Sequence, residues 1–124
     1  MDAERITILV VDDEKIPREL RSLILRKRGY QVVAAGSGKE ALEMLAGGGF
    51  DLVLSDQVMP GMSGTELTRA IKAAKPTMPV ILISGVNEIP ADAGYADSFV
   101  SKVEGPDLLF NTVAAVLKTY GLVL

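Results

Sequence analysis

An α/β domain, with a parallel sheet covered by helices on both faces, is the fold class this sequence predicts. Two observations carry it. Short β-branched apolar runs alternate with amphipathic segments five times along the chain, and such alternation builds parallel strands joined by crossover helices. The clearest runs, residues 6–11 and 80–84, are apolar almost throughout rather than at every second position. That is the pattern of strands buried on both faces.

The elements follow in order. Residues 6–11 form the first strand. A helix from about Pro17 to Arg28 follows, with Leu20, Leu23, Ile24 and the more C-terminal Lys27 tracing one stripe. Pro17 suits its first turn and Gly29 its C-terminal cap. Residues 31–35 make a second, weaker strand. Ala41, Leu42 and Leu45 mark the second helix, which Gly47-Gly48-Gly49 stops. Residues 52–55 are the third strand, with Asp56 just beyond it. Ser63 caps the third helix, and Glu66 completes a capping box; Leu67, Ala70, Ile71 and Ala74 form its buried face. Residues 80–84 are the fourth strand and 98–101 the short fifth. Between them, residues 85–97 contain Gly85, Pro90 and Gly94 and little helical periodicity, so a short or broken helix is expected there. Asp107 is read as the cap of the last helix, with Leu109, Val113, Val116 and Leu117 inward.

At 124 residues, the chain is expected to be one domain, 1–124, with its core at about 5–120 and no effector domain, interdomain linker or repeat. There is no cysteine and no histidine. Disulfides, thiolate chemistry, serine–histidine catalysis and histidine metal ligation are thereby excluded. A net charge of −3, from 13 basic and 16 acidic residues, argues against direct nucleic-acid binding. The acidic N-terminus does not resemble a signal peptide, and the apolar run 8–11 is far short of a membrane span. A cytoplasmic protein with no membrane contact is expected.

Sites in open α/β sheets form at the carboxyl ends of the strands. There the sequence places Asp12, Asp13 and Glu14 after strand one, Asp56 after strand three, Ser84-Gly85 at the end of strand four and Ser101-Lys102 at the end of strand five. Carboxylates crowded at low effective dielectric repel one another. Magnesium relieves that repulsion, since it takes oxygen ligands and tolerates a site of one or two carboxylates plus phosphate oxygens. Lys102 supplies a compact positive charge and Ser84 a hydroxyl donor. One carboxylate is left as a nucleophile, which would give an aspartyl phosphate. Taken singly, each of these residues also has an ordinary reading as a turn, cap or surface side chain; their joint placement at four strand ends favours a site.

These residues resemble the response-regulator receiver family of two-component signalling. The matching stretches are Val10-Val11-Asp12-Asp13-Glu14, Asp56-Gln57-Val58-Met59-Pro60-Gly61-Met62-Ser63-Gly64, Ile83-Ser84-Gly85 and Phe99-Val100-Ser101-Lys102. The resemblance implies a flavodoxin-like (βα)5 sandwich with strand order 2-1-3-4-5, of the single-domain, chemotaxis-regulator-like kind. It implies Asp56 as phosphoacceptor. Asp12, Asp13, Asp56 and the Val58 backbone carbonyl would then hold Mg2+ or Mn2+, and Lys102 and the Gly85 N–H would contact the phosphoryl group. Ser84 and Phe99 would be the switch pair: Ser84 is drawn to the phosphoryl oxygens and Phe99 rotates into the vacated space. The implied partners are a histidine kinase or histidine phosphotransfer protein and a downstream protein target, with the chain a monomer or a phosphorylation-dependent dimer. Its catalysis is limited to its own phosphotransfer and autodephosphorylation.

The chain departs from the family pattern at three places. Val103 follows Lys102 where the family usually has proline, so the loop is expected to run differently and to place Lys102 less rigidly. The segment from Ser84 to Lys102 is about one helical turn shorter than usual. Val58 and Val86 are apolar where polar side chains could orient a hydrolytic water, so self-dephosphorylation is expected to be slow. Arg18, Arg21, Arg26, Lys27 and Arg28 lie on the first helix, either as a solvated face or as a docking surface for an acidic phosphodonor. A haloacid-dehalogenase-type phosphatase would want a second aspartate at position 58, which is valine. A flavin domain would want a phosphate loop after strand one, where this chain is acidic. A non-phosphorylated receiver-like interaction module stays open.

Overall fold

The computed structural model describes residues 5–85, 94–103 and 105–122. Five parallel strands, β1 (Thr7–Val11), β2 (Gln31–Ala35), β3 (Leu52–Asp56), β4 (Val80–Ser84) and β5 (Ser98–Ser101), form one sheet in the order β2-β1-β3-β4-β5. The helices are α1 (Lys15–Lys27), α2 (Gly38–Ala46), α3 (Gly64–Ala74) and α4 (Pro106–Thr119). This is the doubly wound flavodoxin-like arrangement, with the chain turning back across the sheet between β1 and β3.

Strand alternation divides the core into two layers. Ile8 and Val10 of β1, Leu52 and Leu54 of β3, Ile81 and Ile83 of β4 and Val100 of β5 pack with Leu25 of α1 and with Leu109, Val113, Val116 and Leu117 of α4. Leu9, Val11, Val53, Val80 and Leu82 face the other way, toward Ala41 and Leu45 of α2 and Leu67 and Ile71 of α3. Every residue of β3 and β4 is buried, as the unbroken apolar runs require.

Several local expectations change. Leu20 and Leu23 are 55% and 49% exposed, and Lys27 is exposed. The inward face of α1 is centred on Ser22 and Leu25, flanked by half-buried Arg18, Arg21 and Ile24. The start of α1 lies beside the acidic end of β1, so Arg18 and Arg21 turn toward Asp12, while Leu25 reaches the core and Leu20 and Leu23 stay outside. On α3, Ala70 is half-buried and Ala74 exposed, while Thr65 and Thr68 are buried. Their hydroxyls are satisfied by Gln57 Oε1 at 2.9 Å and the Gly64 carbonyl at 2.7 Å, which removes the penalty of burying them. Asp107 is not the cap of α4. Gly105 holds that position, Pro106 opens the helix, and the Asp107 side chain is exposed in its first turn.

Other signals held. Ser63 and Glu66 form the reciprocal capping box. Gly29, at φ 94°, ends α1, with its N–H on the Arg26 carbonyl and the Tyr30 N–H on the Leu25 carbonyl, a Schellman arrangement. Most of the stretch read as a short or broken helix, residues 86–93, lies outside the described residues, and with it Val86.

Candidate functional site

Four strand ends converge on one edge of the sheet. Val11 pairs with Ala35 on one side and Ser55 on the other; Asp56 pairs with Ile83, and Ser84 with Ser101. The register therefore sets Asp12, Asp56, Ser84 and Lys102 side by side. Asp56 is the last residue of β3 rather than the first after it, so its backbone is held by the ladder. Gln57 extends the hold by donating to the Ile83 carbonyl at 2.8 Å.

The acidic group is compact. One oxygen from each of Asp12, Asp13 and Asp56 lies within 4.8 Å of the others. Asp12 and Asp56 are buried, at 1% and 2% exposure, and Asp13 is exposed. Asp12 is the most tightly held. Its backbone N–H donates to Ala35 at 3.2 Å, its Oδ1 accepts from the Glu14 N–H at 2.9 Å, and its carbonyl accepts from Arg18 Nη1 at 2.9 Å. Its Oδ2 accepts from Arg21 Nη1.

Lys102 stands over Asp56, with its ammonium 3.1 Å from Oδ1. That contact is an ion pair, and among the described residues no hydrogen bond of regular geometry reaches the buried Asp56 Oδ1. Burial pushes the Asp56 carboxyl above its ordinary range; Lys102 opposes the rise, Asp12 adds to it, and Arg21 opposes it. The Lys102 backbone N–H donates to the Ser84 carbonyl at 2.9 Å. The Lys102 backbone is therefore tied to β4, with valine after it and no cis peptide bond among the described residues. Val103 is 79% exposed.

The remaining candidates fall around this centre. Ser84 is buried at 3% exposure, with half-buried Gly85 following it. Phe99 of β5 is half-buried and packs on the α2/α3 side of the sheet. Val58 is 56% exposed.

A divalent cation fits this donor set. The ligands are hard oxygens, one of them buried with no hydrogen bond of regular geometry among the described residues, and their mutual repulsion is what such an ion relieves. Asp12, Asp13 and Asp56 are the carboxylates that could hold it.

Two features were not read from the sequence. Gly64 admits α3 to the site: a Cβ there would lie 2.5 Å from the Asp56 carbonyl and 2.9 Å from Gln57 Cα. Arg21 reaches the acidic group from α1. The spacing of Arg18, Arg21, Ser22 and Leu25, three and four apart, was the available signal for that face.

The pattern of the response regulator receiver domain matches residues 8–114. The chain belongs to that family. Receiver domains are phosphoryl-accepting switches of two-component systems rather than turnover enzymes. This receiver domain is 37% identical over 114 residues to the transcriptional regulatory protein YkoG of Bacillus subtilis, covering 88% of this chain and 50% of that protein. It is 38% identical over 120 residues to the sensor kinase CckA of Brucella abortus, covering 90% of this chain and 12% of that one. It thus spans half or less of the length of these relatives. Among solved structures, a receiver domain protein of Clostridium thermocellum matches with a TM-score of 0.87 at 27% identity, over 96% of this chain and 99% of that one. The response regulator TrrA of Thermotoga maritima, solved in complex with Mg2+ and BeF, matches with a TM-score of 0.85 at 37% identity, over 90% of this chain and 99% of that one. Among the described residues, no helix is long and apolar enough to cross a membrane.

Proposed function

We propose that this receiver domain accepts a phosphoryl group on Asp56 from a histidine kinase or histidine phosphotransfer protein and signals by changing its surface. The observation that carries the reading is the state of Asp56. It is buried, ion-paired to Lys102, grouped with two further carboxylates, and has an oxygen that no hydrogen bond of regular geometry reaches among the described residues. In the transfer, an Asp56 carboxylate oxygen forms a bond to phosphorus as the bond from phosphorus to the donor nitrogen breaks. The donor imidazole keeps that electron pair. Lys102 neutralises a phosphoryl oxygen, and the Ser84 hydroxyl and Gly85 N–H donate to the others. Asp12, Asp13, Asp56 and the Val58 carbonyl would hold Mg2+ or Mn2+, which when bound supplies charge neutralisation to the transferring group. TrrA, with Mg2+ and BeF, supports that assignment, beryllium fluoride being a phosphoryl mimic.

The switch then follows from packing. Phosphorylation adds negative charge and acceptor oxygens at Asp56. Ser84 moves to donate to them, and Phe99 turns into the space released. The change is a shift between two packings of one fold.

Arg18, Arg21, Arg26 and Arg28, on and just after α1, are engaged within the molecule, while Lys15 and Lys27 are exposed. Arg18 and Arg21 serve Asp12, Arg26 donates to the Val32 carbonyl, and Arg28 lies 3.7 Å over the Phe110 ring. What α1 offers a phosphodonor beside Lys102 is apolar: Ile16 and Leu20 are 76% and 55% exposed, at the lip of a groove shared with Lys102 and Pro106. A donor reaching Asp56 from the open edge of the sheet would cover that lip, and phosphotransfer should then depend only weakly on salt.

The test is intact-protein mass after incubation with acetyl phosphate, with and without Mg2+, beside Asp56→Ala. A Mg2+-dependent gain of one phosphoryl group that the variant lacks is expected. No gain in the wild type with either acetyl phosphate or a phosphorylated histidine donor would instead favour the non-phosphorylated interaction module.

A further inference from the structure

The arginine on Asp12 has a consequence for the metal site, and it rests on the reading above. Asp12 is 1% exposed, and both of its carboxylate oxygens are engaged: Oδ1 by the Glu14 N–H at 2.9 Å and Oδ2 by Arg21. The Arg21 side chain is itself only 16% exposed. Its positive charge reaches Asp56, where it opposes the effect of burial. Lys102 approaches the acidic group from β5 and Arg21 from α1. A cation entering between Asp12 and Asp56 therefore meets a guanidinium already on one of its ligands.

We propose that Arg21 is a resident counter-cation of the acidic group, one that competes with the divalent ion for Asp12 and is displaced when the ion binds. The physical basis is direct. A guanidinium cannot lose its proton, so it can yield the site only by moving. A unit charge within hydrogen-bond distance of a partly buried carboxylate outweighs thermal energy several-fold. The fold leaves room for the movement. Arg21 also lines a groove of about 320 Å³ with Ile16, Pro17, Leu20, Ile24 and Lys102, where the aliphatic stem can lie on apolar surface and the head group can reach water. Metal occupancy is thereby coupled to the side-chain arrangement of α1 next to the acceptor edge. Arg18 does not share the role, because it donates to the Asp12 backbone carbonyl rather than to the carboxylate.

The experiment is calorimetric titration of the full chain with Mg2+ at low ionic strength, for the wild type, Arg21→Gln, Arg21→Met and Arg21→Lys. Urea unfolding in chelator establishes that each variant is folded. Removing the charge should tighten Mg2+ binding by about tenfold or more, whereas Arg21→Lys should stay near the wild type. A second readout needs no variant to fold: in the wild type, the Arg21 Nε–H resonance should shift as Mg2+ saturates. Equal or weaker Mg2+ binding in the neutral variants, or an unmoved Arg21 resonance at saturation, would overturn the proposal while leaving the metal site intact. No Mg2+ binding by any of the four proteins would overturn the metal reading and this proposal together.

Discussion

Gly64 shows how much a single atom can matter at this site. Its N–H donates to the Gln57 carbonyl at 2.8 Å, and the space a Cβ would need is taken by backbone, which cannot move aside cheaply. Gly64→Ala should cost about 1–3 kcal/mol in urea unfolding and also displace Asp56. A stability equal to wild type would mean that α3 slides on the sheet more easily than this contact allows. Asp12, Asp13, Asp56, Ser84 and Lys102 were readable as a group because each follows or ends an apolar run, and the parallel architecture sends all such ends to one edge. Arg21 was not readable in the same way. Its role depends on the rotation of α1 about its own axis, which the run of basic residues around it obscured.

At the scale of elements, end signals were more reliable than faces. The Ser63–Glu66 box sits three residues apart, and local spacing is all it needs. Ser63→Ala should lower stability by about 1 kcal/mol, read from the urea midpoint. Inward faces depend on what lies beneath. α1 turns Arg18 and Arg21 toward Asp12 and Leu25 into the core, leaving Leu20 and Leu23 outside, and α3 buries Thr65 and Thr68 because Gln57 and the Gly64 carbonyl one turn back in the same helix accept from their hydroxyls. A second polar cluster joins α3, the start of β4, the residue before β5 and the residue after α4 at the opposite edge of the sheet. Lys72 Nζ lies 2.8 Å from Asp97 Oδ2, the Tyr120 hydroxyl donates to Asp97 Oδ1 at 2.5 Å, and the Val80 N–H donates to Oδ2 at 2.7 Å. Burial acts to raise the Asp97 carboxyl, but the hydrogen bonds from Lys72, Tyr120 and Val80 outweigh it, and it lies below its ordinary 3.8. The unfolded chain therefore binds the proton first as pH falls. The contribution of Asp97 is present above its unfolded value of 3.8 and is lost as pH falls through the folded value. Asp97→Ala should cost about 1–3 kcal/mol at pH 7, and the difference from wild type should shrink at pH 2. A difference independent of pH would remove the charge from this account.

For the molecule as a whole, Lys102 and Arg21 offset only part of the cost of gathering buried carboxylates at one edge, as the raised Asp56 carboxyl shows. Mg2+ at about a hundred times its dissociation constant should stabilise the native state by about 2.7 kcal/mol. Thermal unfolding should show the gain, chelator should reverse it, and Asp13→Asn should reduce it. An unchanged midpoint in Mg2+ would count against a metal held by these carboxylates. Strand runs such as residues 80–84 were legible from the sequence alone because burial on both faces requires continuous apolar side chains. With them came the fold class, the helix-ending Gly29 and the capping box, set by periodicity and by turn chemistry within a few residues; the strand ends gave the acidic positions, and the family resemblance singled out Asp12, Asp13 and Asp56 among them. Three things depended on the folded molecule: which side of α1 faces the sheet, whether Lys102 reaches Asp56 with Val103 behind it, and whether α3 comes close enough to need Gly64. Each is a contact between segments distant along the chain, and its outcome depends on where competing charges and volumes meet in space. Local pattern carries no information about that meeting, whereas the strand register and the packing of α1 and α3 on the sheet specify it.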